Sequence, residues 1–233
     1  MTLACEPLPA RTPPVALLFD WGYGAGLLSL RSEIEAAAEA FADRITPASP
    51  LAPLPEPFTA LTPWGPVDSP PVPADTLRVW VGPATGADHL GEGGPVGWSA
   101  VGPAPARGPG FSLALDPAAD WLRFSLPTVV RHEVLHGVGV DEHSPNPAAL
   151  MAPHLAPGVT KDATAADAEL AARHGWHLDL PSSPPAPSLP ATGFVRVLDP
   201  YGLPGYQILP AATARSWAAH GTLGRWDVAA PPA

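Results

Sequence analysis

Cysteine is almost missing from this chain. Cys5 is the only one in 233 residues, so no disulfide can form within the molecule, and packing or a bound metal must supply its stability. Positive charge is scarce too: 12 Lys and Arg stand against 22 Asp and Glu, a formal net charge of −10 with no basic run. Tracking along a phosphate backbone needs clustered cations that release counterions, so no nucleic-acid partner is expected. No window approaches the roughly 20 apolar residues of a membrane span, so no membrane partner is expected either. The opening MTLACEPLPARTPPVALLFDWG lacks the charged and apolar regions of a secretory signal, because VALLF is short and flanked by prolines.

What the chain has in excess is proline, at 35 residues, and glycine, at 22, with charged residues at only 15%. Those proportions predict few long regular elements and many connections. The 46% apolar content still argues for a folded chain, with room for one ordinary domain and a small appendage.

Residues 1–14 read as an N-terminal tail. Val15 to Asp20, a compact apolar run bounded by Pro14 and Gly22, reads as a buried strand. Ser32 and Glu35 have capping-box spacing, and Ile34, Ala37, Ala38, Phe41 and Ile45 recur at helical intervals, predicting a helix whose apolar stripe lies on a sheet. Residues 46–75 are proline-dense and read as extended loop. Thr76 to Val81 is a strand by its β-branched and aromatic content; Gly91 to Gly94 reads as a flexible loop before an exposed strand, PVGWSAVG, with GFSLALD at 110–116 as the next strand. Ser125 is placed to cap a helix that has Pro127 in its first turn and runs through His136 to Gly137. A last helix spans about Thr164 to His174, closed by Gly175. The fold class is therefore α+β (mixed α/β), with a main domain at 15–180. A Pro-rich linker at 181–190 and a small C-terminal β module at 191–233 follow it.

The segment HEVLHGVGVDEH, residues 132–143, carries the chemistry. His132 and His136 are one helical turn apart and point the same way, so their imidazoles can take adjacent corners of a tetrahedral zinc site. Glu133 sits beside them and can reach the water at a further corner, where zinc makes that water acidic enough to attack near neutral pH; Glu133 would act as general base and then general acid. Gly137 and Gly139 release the chain so that a third ligand can return from outside the helix. Two residues compete for that place: Glu142, three positions after Gly139, and His143, one position later.

From His132 to Pro153 the chain resembles the matrixin branch of the metzincin zinc metalloproteases, whose motif H-E-x-x-H-x-x-G-x-x-H is followed by Ser, Pro and Ala-Leu-Met. His143-Ser144-Pro145 and Ala149-Leu150-Met151 fall in register when counted from His143 and slip by one when counted from Glu142. The resemblance therefore implies His143 as third ligand, Glu142 as an inserted loop residue, and Met151 as the apolar floor beneath the imidazoles. It further implies a metzincin fold, with a twisted mixed sheet, a backing helix, an active-site helix and a C-terminal helix. The implied activity is a zinc metalloendopeptidase holding a protein or peptide substrate along an edge strand, for which 95–101 is the candidate, with Leu155 in an apolar pocket for the side chain after the cut bond. Residues 95–115 hold no histidine, so one catalytic Zn2+ is expected rather than two. The family is mostly secreted, which makes an extracellular location the expectation by resemblance. If the extra residue turns the third imidazole away, the alternative is a catalytically inactive, zinc-stabilised binding or structural protein.

Other candidates read more plainly. Asp116 and Asp120 flank a Pro-Ala-Ala turn and read as turn caps, with Ca2+ as the further cofactor candidate there. His89 with Asp88 and Glu92 reads as a solvated loop. Cys5 precedes the domain as the latency cysteine of matrixins does, yet Ala4-Cys5-Glu6-Pro7 shares little beyond the proline, and it reads as a free thiol in a loose tail. His154, His174, His177 and His220 have no ligand spacing to one another.

Overall fold

The computed structural model describes residues 13–86, 89–99 and 108–180, together with strands at 194–198, 206–210 and 226–229 and position 213. Its main sheet has four strands in the order β1 (Ala16–Asp20), β5 (Thr76–Pro83), β8 (Gly110–Leu115) and β6 (Gly91–Pro95). The first three are parallel, while β6 runs antiparallel to β8 with Gly91 opposite Leu115 and Pro95 opposite Phe111. The buried middle strands explain their own sequences: TLRVWV and GFSLAL are nearly continuous apolar runs because both faces are covered.

One face carries α1 (Arg31–Ala42) and α2 (Leu126–Gly137), which bring Ile34, Ala38, Phe41, Val130, Val134 and Leu135 into one core with Val79, Val81, Leu113 and Leu115. The molecule is thus a mixed α/β fold with a mixed sheet and a few helices. No helix among the described residues is long and apolar enough to cross a membrane.

The capping box expected at Ser32 and Glu35 is not formed. A 3-10 segment, Ala25–Leu30, runs directly into α1, so the helix begins a residue before Ser32 with Leu30 in the cap position. Glu35 instead accepts from Trp21 Nε1 at 2.8 Å and from Arg31 Nε at 3.0 Å.

Residues 46–75 are not all loop. Ile45–Pro47 is β2, and Phe58–Thr62 (β3) and Gly65–Ser69 (β4) form a hairpin whose turn uses Gly65 at φ 123°. The prolines misled because Pro66 lies on β4, an edge strand, where a missing N–H costs no ladder bond. Phe58, Ala60, Val72, Trp80 and Val96 make a second, smaller core under this hairpin.

The expected edge strand at 95–101 is divided between two sheets, with each part at an edge. The glycine segment 91–95 is itself strand β6, and the chain then changes sheets at Val96 so that β7 (Gly97–Ser99) pairs with β3. Of the candidate segment 95–101, positions 100 and 101 lie outside the described residues.

The last helix, α3, is Ala165–Arg173, ended by Gly175 at φ 75°. Trp176–Leu178 (β9) follows and pairs with β2, which the sequence did not announce. Phe194–Leu198 (β10), Tyr206–Pro210 (β11) and Trp226–Ala229 (β12) form an antiparallel sheet in the order β11-β10-β12. The Pro-rich stretch 181–190 and Cys5 lie outside the described residues.

Candidate metal centre

Helix α2 starts where Ser125 stands in extended conformation with Pro127 in the first turn, and Thr128 Oγ1 donates to Ser125 Oγ at 2.9 Å. It ends in a Schellman motif: the Gly139 N–H reaches the His136 carbonyl at 2.9 Å and the Val140 N–H the Leu135 carbonyl at 3.0 Å. That closure needs a left-handed residue, and Gly139 has φ 95°. Gly137 serves packing instead, since a Cβ there would lie 2.3 Å from the Phe111 ring on β8.

The motif brings His132, His136 and His143 together, with one ring nitrogen from each lying within 4.8 Å of the others. Ring centroids are 4.7 Å apart for His132 and His136, 5.3 Å for His132 and His143, and 4.9 Å for His136 and His143. His132 Nδ1 donates to the Leu150 carbonyl at 2.8 Å and His136 Nδ1 to the Val140 carbonyl at 2.6 Å. A carbonyl only accepts, so both rings carry their proton on Nδ1 and present the Nε2 lone pair to the centre of the cluster. His136 Nε2 and His143 Nε2 are 3.3 Å apart. Two nitrogens held ~2.0–2.1 Å from one tetrahedral ion are separated by roughly 3.3–3.4 Å, so the pair is already spaced for shared coordination.

Electrostatics favour the same state. Burial pulls His132 down to about 4, against the Leu150 carbonyl, which favours the charged ring. Burial also lowers His136. Neutral imidazoles are the form that binds metal. Glu133 is only 5% exposed, and its burial pushes the carboxyl up to about 8, with the Gly93 N–H working against that shift and the Glu92 charge adding to it.

Glu142 does not join the cluster. Its Oε2 is 2.7 Å from Arg173 Nη2 at the end of α3, and Asp141 Oδ1 beside it is 3.6 Å from His174 Nε2. Glu142 thus lies on an outward loop anchored on α3.

Met151 is fully buried in the main core. Its N–H and that of Leu150 donate to the two oxygens of Asp167 at 2.8 and 3.0 Å, and Asp167 also accepts the Thr164 N–H at the start of α3. Asp167 has no exposure at all. It thus fixes the carbonyl that fixes His132, a role that no motif flagged. The Thr164-x-x-Asp167 spacing was the available signal, because it marks a helix start.

A cleft of about 850 Å³ opens over the three histidines and Glu133, between β6 and the segment 152–155. β6 can lie this close to α2 because Gly91 and Gly93 place no side chain toward the helix. A Cβ on Gly91 would sit 3.0 Å from Glu133 Oε1, and one on Gly93 only 2.3 Å from the Glu133 carbonyl oxygen. The alternation of Gly91 and Gly93 was legible as one strand face meeting a helix, though it reads equally well as loop.

Asp116 and Asp120 behave as turn caps, Asp116 Oδ1 accepting the Ala118 N–H at 2.8 Å and Asp120 Oδ1 the Leu122 N–H at 3.2 Å. They are not among the metal-capable groups of the described residues. Glu92 turns to Thr85 and Gly86, and Asp88 lies outside the described residues. No family model, curated protein or solved structure matches this chain.

Proposed function

We propose that the protein is a zinc-dependent metalloendopeptidase built on a metzincin-like scaffold, with His132, His136 and His143 as the metal ligands and Glu133 as the proton-transfer group. The observation that carries this reading is the pair of committed Nδ1 protons, which leave two Nε2 lone pairs converging with the His143 ring in front of a buried carboxyl. A donor set of three neutral imidazoles suits Zn2+, and three protein ligands leave a corner open, the arrangement of a catalytic rather than a closed structural site. Zinc bound there supplies Lewis acidity, polarising a peptide carbonyl and acidifying water.

The chain's own groups do the rest. Glu133 takes a proton from the attacking water and returns it to the departing amine, a task matched by a carboxyl whose burial lifts its proton affinity toward neutrality. β6 is the outer strand of the main sheet and lines the cleft, so its outward backbone groups, apart from the Gly93 N–H that faces Glu133, are available to an extended peptide. The mixed sheet with one antiparallel edge, the helix bearing both histidines, and the buried Met151 support the metzincin comparison.

Metal analysis and peptide cleavage by the full chain test this. One zinc per chain and cleavage of casein or a quenched peptide library, lost in Glu133→Ala with zinc retained, is the expected result. Zinc retained with no cleavage by either protein would leave the zinc-stabilised binding protein in its place.

A further inference from the structure

Lys161 lines the same cleft and is only 8% exposed. Its position relative to the histidines is fixed by the backbone: the Lys161 N–H donates to Thr128 Oγ1 at 3.0 Å, and Thr128 lies four residues before His132, one turn along the same face of α2. The ammonium donates to the His154 carbonyl at 2.8 Å. That is one bond for a group with three donors.

No carboxylate among the described residues lies within ion-pair distance of Lys161. The adjacent Asp162 is taken by Arg44 Nη1 at 2.7 Å, with Arg131 Nη1 at 3.6 Å. Asp167, whose charge reaches Lys161, has both oxygens occupied by the N–H groups of Leu150, Met151 and Thr164. A buried cation that keeps its charge without a counter-ion is costly, and the cost is recovered when a ligand brings the anion. The start of α2, which contributes Thr128 and Val129 to the cleft beside Phe124, adds positive dipole potential of the same sign.

We infer that Lys161 makes this cleft selective for peptides with a carboxylate beside the bond that is cut, the carboxylate seating between Lys161 and the first turns of α2. The inference rests on the peptidase reading for the word "cut" and on the cleft alone for the carboxylate. Its chemical source is an Asp or Glu side chain or a free chain end. Phe124, Val129 and Leu155 then pack the stem of the bound residue while Lys161 binds its head, so the apolar preference expected from Leu155 becomes a preference for an acid on an apolar stem.

The test uses the zinc-loaded full chain. Doubly capped quenched peptides carrying Glu, Gln or Leu on either side of the cut bond are compared in kcat/KM, with a further peptide that ends in a free carboxylate. In parallel, calorimetry measures binding of the Glu, Gln and free-acid peptides to Glu133→Ala. A charge-assisted hydrogen bond predicts that Glu exceeds Gln by roughly ten-fold or more at one position, or that the free acid exceeds its amide by as much. The advantage should vanish in Lys161→Met and persist in part in Lys161→Arg. Equal binding and cleavage of Glu and Gln peptides and of acid and amide ends, or a preference that survives Lys161→Met, would overturn the inference and leave Lys161 as a brace for the 152–155 segment. If no peptide is cut although zinc is bound, the peptidase reading fails by itself, and the binding comparison still decides Lys161. Should Lys161→Met not fold, the comparison on the Lys161-bearing protein decides.

Discussion

Asp167 reaches His132 through a single peptide unit: it accepts the Met151 N–H at 2.8 Å, and the carbonyl of that same unit, Leu150 C=O, accepts the His132 Nδ1 proton at 2.8 Å. The first turn of α3 and the middle of α2 are thereby tied to one short segment, and the orientation of a candidate ligand depends on a carboxylate that never touches it.

Replacing Asp167 with Ala strands three backbone N–H groups and frees the Leu150 carbonyl to drift. The expected outcome is a stability loss of roughly 3 kcal/mol or more and a zinc affinity lower by roughly 10–100-fold. Chelator competition and thermal melts check both. Unchanged zinc affinity would mean that His132 is oriented without this link.

Glu133 gives the metal-stripped protein a distinctive pH response. Its carboxyl ionises near 4.5 when unperturbed and at about 8 in the fold. Below that lower value both states hold the proton and nothing is lost; between the two values the unfolded chain gives it up first and is favoured by about 1.4 kcal/mol per pH unit. Glu133→Gln removes this penalty while leaving His132 and His136 in place. Its melting temperature, measured without metal, should match wild type near pH 4 and exceed it increasingly up to about pH 8. A gap that does not widen with pH would show that the carboxyl is not held protonated.

Two neighbouring glycines should respond very differently to one methyl group. Gly93→Ala places it 2.3 Å from the Glu133 backbone oxygen, whereas nothing lies within 4 Å of a Cβ on Gly94. Separation of α2 from β6 predicts a cost of about 1–3 kcal/mol for Gly93→Ala, together with reduced peptide cleavage, and near neutrality for Gly94→Ala. Paired denaturation curves decide it.

The third ligand can be assigned by a similar pair. His143→Ala should abolish tight zinc binding, while Glu142→Ala gives up only an exposed ion pair with Arg173, worth less than about 1 kcal/mol. Zinc stoichiometry after dialysis reads the difference, and the reverse result would transfer the ligand role to Glu142.

The parts of the fold that were legible in advance are those with a strict local period or a fixed chemical spacing. His132 and His136 one turn apart, Pro127 in a first helical turn, Gly139 at a left-handed cap and Gly175 after α3 each follow from short-range geometry. What escaped depended on partners distant in sequence. Gly91 and Gly93 read as loop because a strand face left bare at both positions makes sense only once α2 lies across it. The β3–β4 hairpin hid among prolines that an edge strand tolerates. Lys161 belongs to no motif; its importance arises from a hydrogen bond to Thr128 and from two nearby carboxylates engaged elsewhere.

The outward loop that carries Glu142 has a practical consequence. Val140 is pinned by the His136 ring behind it and Ser144 by the Met151 carbonyl ahead of it, so the three residues between them are held at both ends while the Glu142 side chain turns outward. Position 142, half exposed and turned toward α3 between the groove-lining Asp141 and His143, is therefore a natural attachment point for a fluorophore or spin label that senses the adjoining groove from outside it.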